Sequence, residues 1–246
     1  QTIAANLGSM LTPIGNPQNL YLYGLAGVGA GQFMMWLLPY TVISAVLLII
    51  SILLLKNKNA DVSMKDTDNN SEQRTAPVNV LLYTILFVIA LLVVARVLPW
   101  YVLTVLVLVT TFIIERNVLL KADYALLLTF VGFFIFTGNM GRIEPVALFL
   151  SGIADGREIG VGIITSQCIS NVPAALLLSG FTHNIKSLAL GVNIGGLGTL
   201  IASMASLISY KQYVNEVPEG KGKYFVTFTV YNVIFLIVLY ACTKFI

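Results

Sequence analysis

In a chain of 246 residues, 57% hydrophobic and only 10% charged, the apolar share exceeds the roughly 45–50% of soluble domains and the charged share falls far below their roughly 25%. So few charges leave no polar shell to cover a core, which excludes a soluble globular fold and makes the lipid bilayer the first partner. The formal charge of +3, from 14 Lys and Arg against 11 Asp and Glu, is too balanced for an electrostatic nucleic-acid footprint, so no nucleic-acid partner is expected.

The first segment, residues 3–27, is apolar but carries Thr12, Pro13, Gly15, Asn16, Pro17 and Asn19. Each proline removes an N–H and its ring clashes with the preceding turn, so a helix through this stretch must break. Unpaired backbone at membrane depth is tolerated only inside protein or beside a wet cavity, so such a break marks a site. Residues 33–55 are the first plain apolar run, about the ~20 residues that cross a hydrocarbon core. Residues 56–77 (KNKNADVSMKDTDNNSEQRTAP) mix both charges without an aromatic residue, the composition of a disordered, solvated linker. Plain runs follow at 78–97, 100–114, 124–138 and 224–246, with two interrupted stretches at 159–181 and 188–210. The chain thus divides into a broken helix at 1–27, a transmembrane helix at 28–55, the linker at 56–77 and a second region at 78–246. That region holds a hairpin at 159–181, a broken helix at 188–210 and a last helix at 224–246. The fold class is all-α: a polytopic membrane helix bundle with discontinuous helices and a re-entrant hairpin.

The two broken helices are related. At an offset of 187, NLGSMLTPIGNPQNLYLY stands beside NIGGLGTLIASMASLISY, with Asn6 on Asn193, Gly8 on Gly195, Thr12 on Thr199, Ile14 on Ile201, Leu20 on Leu207 and Tyr23 on Tyr210. Asn16 falls over Ser203 and Asn19 over Ser206 as polar pairs. The competing explanation is that small residues recur because membrane helices pack through them, as in Gly191 and Gly195 at GxxxG spacing. Paired discontinuous helices in two halves of a chain point to a transporter's substrate and ion sites. The hairpin has its own break over 166–173 (SQCISNVP), where Pro173 fits the first turn of a second half-helix with Ser170 or Asn171 as N-cap. A half-helix N-terminus suits an anion, whereas hydroxyls, amides and unwound carbonyls suit sodium. A Pro-kinked helix capped by Ser is the plainer alternative.

Cys168 and Cys242 are the two cysteines and both lie in apolar runs, so they read as packed thiols. His183 is the single histidine, which excludes a His-based metal cluster within the chain. No Walker loop, G-x-G-x-x-G or nucleophile–His–acid set occurs, so no enzyme is expected. Arg142 and Glu144 read as interfacial charges that snorkel.

The phrases ANLGSMLTPIGNPQNL, SQCISNVPAALLL and GVNIGGLGTLI resemble the ion transporter superfamily, in particular its citrate-transporter-like and arsenite-permease-like anion permeases. The resemblance covers the chain from Gln1 to Tyr210. It implies two inverted repeats, each a re-entrant hairpin followed by a broken helix, with substrate and coupling ions bound between hairpin tip and break. Carried over, Ser166, Ser170, Asn171 and Pro173 are the hairpin tip, and Asn193, Gly195, Gly196 and Thr199 its partner break. Asn6, Gly8, Ser9, Thr12, Pro13, Gly15 and Asn16 are the break of the first repeat, and a sodium ion would be held at Ser166, Ser170, Asn171 and Gly195. Two departures stand out. Leu200 and Ala202 replace the Pro and Gly that arsenite-permease-like members repeat in the second break, and Val172 replaces the Thr of a Ser-Asn-Thr tip. The second loss weakens the case for a dicarboxylate.

The function these features imply is a secondary active transporter of a small anion. With no Asp or Glu in the middle of a span to relay protons, sodium coupling is expected over a sodium/proton antiporter or an arsenite-type efflux permease. A structural membrane subunit is the distant alternative. No cofactor is expected beyond the sodium ion. The expected partners are the bilayer, the anionic substrate, a second copy in a homodimer and a first half of the transporter. The last follows from spacing: Asn171 precedes Asn193 by 193 − 171 = 22 positions, and 6 − 22 = −16 puts the matching first hairpin before Gln1.

If the hairpin enters and leaves on one side, the loops at 56–77, 115–123 and 211–223 share a face with Lys56, Lys58, Lys65, Arg74, Arg116, Lys121, Lys211, Lys221 and Lys223. The positive-inside rule makes that face cytoplasmic and the protein a multi-pass protein of the cell membrane. A cysteine placed at Ser63 is therefore expected to resist an impermeant thiol reagent in intact cells, whereas one at Lys186 reacts. The reverse labelling pattern would overturn this topology.

Overall fold

The structure, a computed structural model, describes residues 2–54, 77–114, 116–120 and 124–246. Apart from Pro77, the expected linker at 56–77 lies outside the described residues. Among the described residues every regular element is helical, α-helix or short 3-10 turn, as the apolar runs predict. The chain forms two compact units, Gln1–Ile50 with Asp123–Ile246, and Ser51–Ala122.

The larger unit opens with α1 (Thr2–Gly8) and α2 (Pro17–Ala26). Pro17 occupies the first turn of α2, where its missing N–H costs nothing, and Gly27 ends it in the left-handed region at φ 68. α3 (Ala30–Leu54) follows, 25 residues and long and apolar enough to cross a membrane. Pro39 lies inside it, and just beyond, Thr41 Oγ1 and Ser44 Oγ donate back to the carbonyls of Leu37 and Tyr40 at 3.0 and 2.6 Å. Such back-bonding is one way a membrane helix accommodates proline.

In the smaller unit, α4 (Pro77–Val94) packs on α5 (Trp100–Ile114), which meets α6 (Arg116–Leu120). Pro77 starts α4 and does not end the preceding loop, because proline is pre-organised for a first helical turn. The expected run at 78–97 ends as helix at Val94, and Arg96 at φ 61 turns the chain toward Trp100.

The larger unit resumes with α7 (Tyr124–Met140) and α8 (Glu144–Ala154). The sequence predicts no helix between 138 and 159. Pro145 and the acidic Glu144 in the first turn start one, 11 residues long and too short to span hydrocarbon. Next come α9 (Glu158–Ile169) and α10 (Asn171–Leu178), separated by Ser170 alone. Thr182 Oγ1, just past α10, donates to Glu158 Oε1 at 3.1 Å, so the pair doubles back and its two outer ends lie together. The remaining helices are α11 (Ile185–Gly195), α12 (Met204–Glu216) and α13 (Lys221–Cys242). α11 begins three residues before the expected 188 because the Asn184 side chain caps it by accepting from Ser187 N–H. α13 begins at Lys221 and not 224, and together with the preceding turn forms the second apolar segment long enough to cross, Pro218–Cys242.

α11 is the core of this unit. Every residue from Leu188 to Gly195 is buried, and the helix packs against α9, α10, α2, α1 and α13. Small residues permit the closest approach: a Cβ on Gly191 would stand 2.7 Å from Ile159 O, and one on Gly162 would stand 3.2 Å from Gly191 C. Membrane helices lack a hydrophobic force to drive them together and rely on such backbone proximity. The two broken helices share bounds as well as residues. α1 ends at Gly8 and α11 at Gly195, α2 starts at Pro17 and α12 at Met204, and 8 + 187 = 195 while 17 + 187 = 204.

Gly191→Ala is therefore expected to destabilise the purified protein by about 1–3 kcal/mol through overpacking, lowering its melting temperature in detergent. Gly132→Ala on α7, where a Cβ meets open space, is neutral or slightly stabilising. Equal melting of the two variants would mean that α9 and α11 are not in backbone contact.

Candidate functional site

Three stretches of unwound chain meet inside the larger unit: residues 9–16 after α1, the turn at Ser170, and residues 196–203 after α11. Asn193, on the last turn of α11 and 2% exposed, joins the first to the third. Its Nδ2 donates to Asn19 Oδ1 at 2.6 Å and Ala189 O at 2.7 Å, and its Oδ1 accepts from Asn16 Nδ2 at 3.0 Å. Asn19, fully buried, donates onward to the carbonyls of Met10 at 2.6 Å and Thr12 at 3.2 Å. Thr12 thus takes part through its backbone. Asn16 caps α2, with Oδ1 accepting from Asn19 N–H at 2.9 Å, while its Nδ2 reaches Ser9 O and Oγ at 3.4 and 3.3 Å. Gly15 lets this loop close, because a Cβ there would collide with Ser9 O.

The other half answers reciprocally. Asn6, the counterpart of Asn193, donates from Nδ2 to Gly196 O at 3.3 Å and Ser206 Oγ at 3.4 Å. Ser206 is the counterpart of Asn19, since 19 + 187 = 206. Ser203 caps α12 by accepting from Ser206 N–H at 3.2 Å, and its backbone (φ −147, ψ 149) repeats that of Asn16 (φ −152, ψ 159). Each broken helix therefore supplies an amide from its first half and a polar partner from its second.

The hairpin is tied to this cluster by Gln167. Its Nε2 donates to the carbonyls of Gly195 and Leu197, both at 2.8 Å, and its Oε1 accepts from Thr199 N–H at 2.8 Å. One side chain thus satisfies three backbone groups that the end of α11 leaves open. Gly198, at φ 105, passes so close that a Cβ would collide with Gln167 Oε1. Ser166 is fully buried, with Oγ donating to Gly162 O at 2.7 Å, and Gly195 packs on it: a Cβ there would stand 2.8 Å from that Oγ.

Of the two alternatives for the N-cap of α10, Ser170 holds the position, but its hydroxyl makes no capping bond and lies 3.5 Å from Ala202 O. Its backbone, at φ 74 and ψ 154, is in a region that side chains rarely enter, at a cost of about 1–3 kcal/mol. Asn171, the first residue of α10, is 5% exposed, and among the described residues its carboxamide has no hydrogen-bond partner. It points at the second break, where a Cβ on Gly196 would lie 2.8 Å from its Nδ2. Pro173 is half-buried in the first turn of α10, and Pro13 is buried in the first break. Thr199 is exposed, with Oγ1 donating to Gln167 O at 3.4 Å. Gly8 is exposed at the end of α1 with open space around its Cα, away from the cluster's hydrogen bonds.

Asn19, Gln167, Ser203 and Ser206 belong to the cluster and were not among the expected site residues. For three of them a signal existed, in the polar pairs of the offset alignment. Gln167 had none beyond its neighbours Ser166 and Ser170. The whole cluster is built from neutral groups.

Residues 1–186 match the sequence profile of a family described as citrate transporter. Over 219 residues the chain is 34% identical to an uncharacterized transporter of Methanocaldococcus jannaschii, an alignment covering 89% of this chain and 58% of that protein. Over 214 residues it is 28% identical to the inner membrane protein YbiR of Escherichia coli, covering 86% and 56%. The chain thus spans a little over half the length of these relatives. No solved structure matches it.

Because one Gln167 side chain meets Gly195 O, Leu197 O and Thr199 N–H, Gln167→Ala is expected to cost about 1–3 kcal/mol, chiefly through the two part-buried carbonyls it leaves unmatched. Gln167→Glu keeps an acceptor for Thr199 but turns a carboxylate toward two carbonyls, and is expected to be no better. Thermal unfolding of the purified variants checks this, and an unchanged melting point for Gln167→Ala would remove the clasp from the account.

Proposed function

The chain belongs to the citrate transporter family, and from that premise we propose that it works in a secondary active transporter. It would carry a small anion across the cytoplasmic membrane, with sodium as the coupling ion and alternating access as the mechanism. The observation that carries this reading is Asn171: in a residue only 5% exposed, a carboxamide with no hydrogen-bond partner among the described residues, beside a strained turn and aimed at unwound backbone. A ligand can therefore take up its hydrogen bonds without first breaking one inside the protein.

The donors around that position suit both solutes. In the first turn of α10 the N–H groups of Asn171 and Val172, Pro173 having none, lack an acceptor within their own helix and are free to meet an anion. For sodium, Ser166 Oγ has given its proton to Gly162 O and keeps lone pairs, and Gly195 O, already accepting from Gln167, keeps a second one. Ser170 Oγ and Asn171 Oδ1 complete an all-oxygen set. In this reading the α9–α10 pair is a re-entrant hairpin, and the segments around 9–16 and 196–203 are the discontinuous helices of two inverted repeats. Movement of these parts against the plain helices exposes the site to each side in turn.

The test is uptake by the protein, purified as its own gene encodes it, in proteoliposomes supplied with oxyanions, carboxylates including citrate, and arsenite, with and without a sodium gradient. One anion is expected to accumulate only when sodium is present outside. Asn171→Ala, Asn6→Ala and Thr199→Ala are expected to lower that uptake at least tenfold while the protein stays folded and inserted, whereas Val42→Ala on the exposed side of α3 stays within about twofold. Parental uptake by Asn171→Ala would remove the site, and uptake driven equally by a proton gradient without sodium would remove the coupling ion.

A further inference from the structure

At the opposite end of α9 from Ser170 lies a cleft of about 500 Å³, between the foot of the hairpin, the start of α11 and the end of α13. It is within the ~300–1,000 Å³ of small-ligand sites, and none of the cluster residues lines it. Its polar wall carries Arg157, Asn184 and Lys244, and its apolar wall carries Ile153 and Ile164, 38% and 68% exposed.

Three observations define what fits. First, depth: α13 ends its apolar run at Cys242, and Lys244 Nζ sits 5.4 Å from the centroid of the Tyr240 ring. Tyrosine and lysine at the end of an apolar helix lie at the headgroup level of a bilayer. Second, charge: the cleft holds two cations and, among the described residues, one carboxylate. That carboxylate, Glu158, is 5% exposed and turned inward, its Oε1 accepting from Gly156 N–H at 3.2 Å and Thr182 Oγ1 at 3.1 Å. Arg157 and Lys244 are exposed and face outward. Third, chemistry: Asn184 uses its Oδ1 to cap Ser187 and keeps its Nδ2 as a donor.

We propose that this cleft binds an anionic phospholipid, with Arg157, Lys244 and the Asn184 amide on the headgroup phosphate and the acyl chains along Ile153 and Ile164. A soluble phosphate would use the cations but has nothing to lay on the isoleucines. Basic recesses between membrane helices at headgroup depth attract anionic headgroups, and by the topology above this one faces the outer leaflet. The lipid would brace the hairpin's foot against α13, a role separate from the transport site.

The protein in detergent is titrated with short-chain phosphatidylglycerol, short-chain phosphatidylcholine or inorganic phosphate, and bound lipid is read by native mass spectrometry alongside the melting temperature. Phosphatidylglycerol is expected to be retained in preference to phosphatidylcholine and to raise the melting temperature. Arg157→Gln with Lys244→Gln is expected to weaken its binding about tenfold or more, with Lys186→Gln, an exposed lysine outside the cleft, as the unchanged control. Lys244→Met alone, beyond the end of α13, serves if the double variant fails to fold, and is expected to lose part of the preference. Equal retention of both lipids, or a preference that survives these substitutions, would overturn the proposal. Competition by inorganic phosphate at the affinity of the lipid would also overturn it, in favour of a soluble-anion site.

Discussion

Everything in the larger unit follows from one requirement: backbone that leaves the helix where water is scarce must find other hydrogen-bond partners. The prolines at 13 and 17 force the first break, where the carboxamides of Asn16 and Asn19 meet the backbone set free; Gln167 does the same for the second break, and Asn193 ties Asn16 to Asn19. Carboxamides suit the task because each offers two donors and an acceptor on one rigid plane. The glycines matter for the same reason. A Cβ on Gly15 would collide with the Ser9 carbonyl, and one on Gly198 with the Gln167 amide that holds the loop.

The neutrality of the cluster has a physical logic. A buried charge must be paired, and breaking such a pair leaves an uncompensated ion at a cost of about 3–5 kcal/mol. A scaffold whose joints are amide to carbonyl holds unwound chain in place without a counter-charge that would compete with an arriving ion. Asn171 differs: among the described residues its amide takes no part in these joints, although its neighbours do. In a network where almost every donor is used, an unused one is informative.

Much of this was legible in the sequence wherever the signal was local. Two prolines and two asparagines over residues 12–19 point to a break, and SNVP reads as the start of a half-helix against the alternative of a Pro-kinked helix; in the structure the chain leaves helix between Gly8 and Pro17, and a new helix starts at Asn171. The equivalence of Asn6 and Asn193 was also visible, as was the polar match of Asn16 with Ser203. Gln167 was not, because a glutamine on an apolar helix has the same local appearance whether it faces lipid headgroups or clasps a loop 28 to 32 positions later. The short helix α8 was missed for a related reason: Arg142 and Glu144 read as interfacial charges that end a span, and nothing in 11 residues announces a helix that does not cross. Burial of Glu158 likewise depends on Thr182, which only folding brings beside it.

The bond between Asn193 and Asn19 joins residues 174 positions apart, and that between Asn16 and Asn193 spans 177. A ribosome adding about 5–20 residues per second takes on the order of 10–35 s to make that much chain. For that interval the first break has been synthesised, with its amides ready, but its partner does not yet exist. During biogenesis these polar groups must be held by water, by the insertion machinery or by other parts of the protein, and the timing of synthesis becomes a constraint on the same residues that later form the cluster.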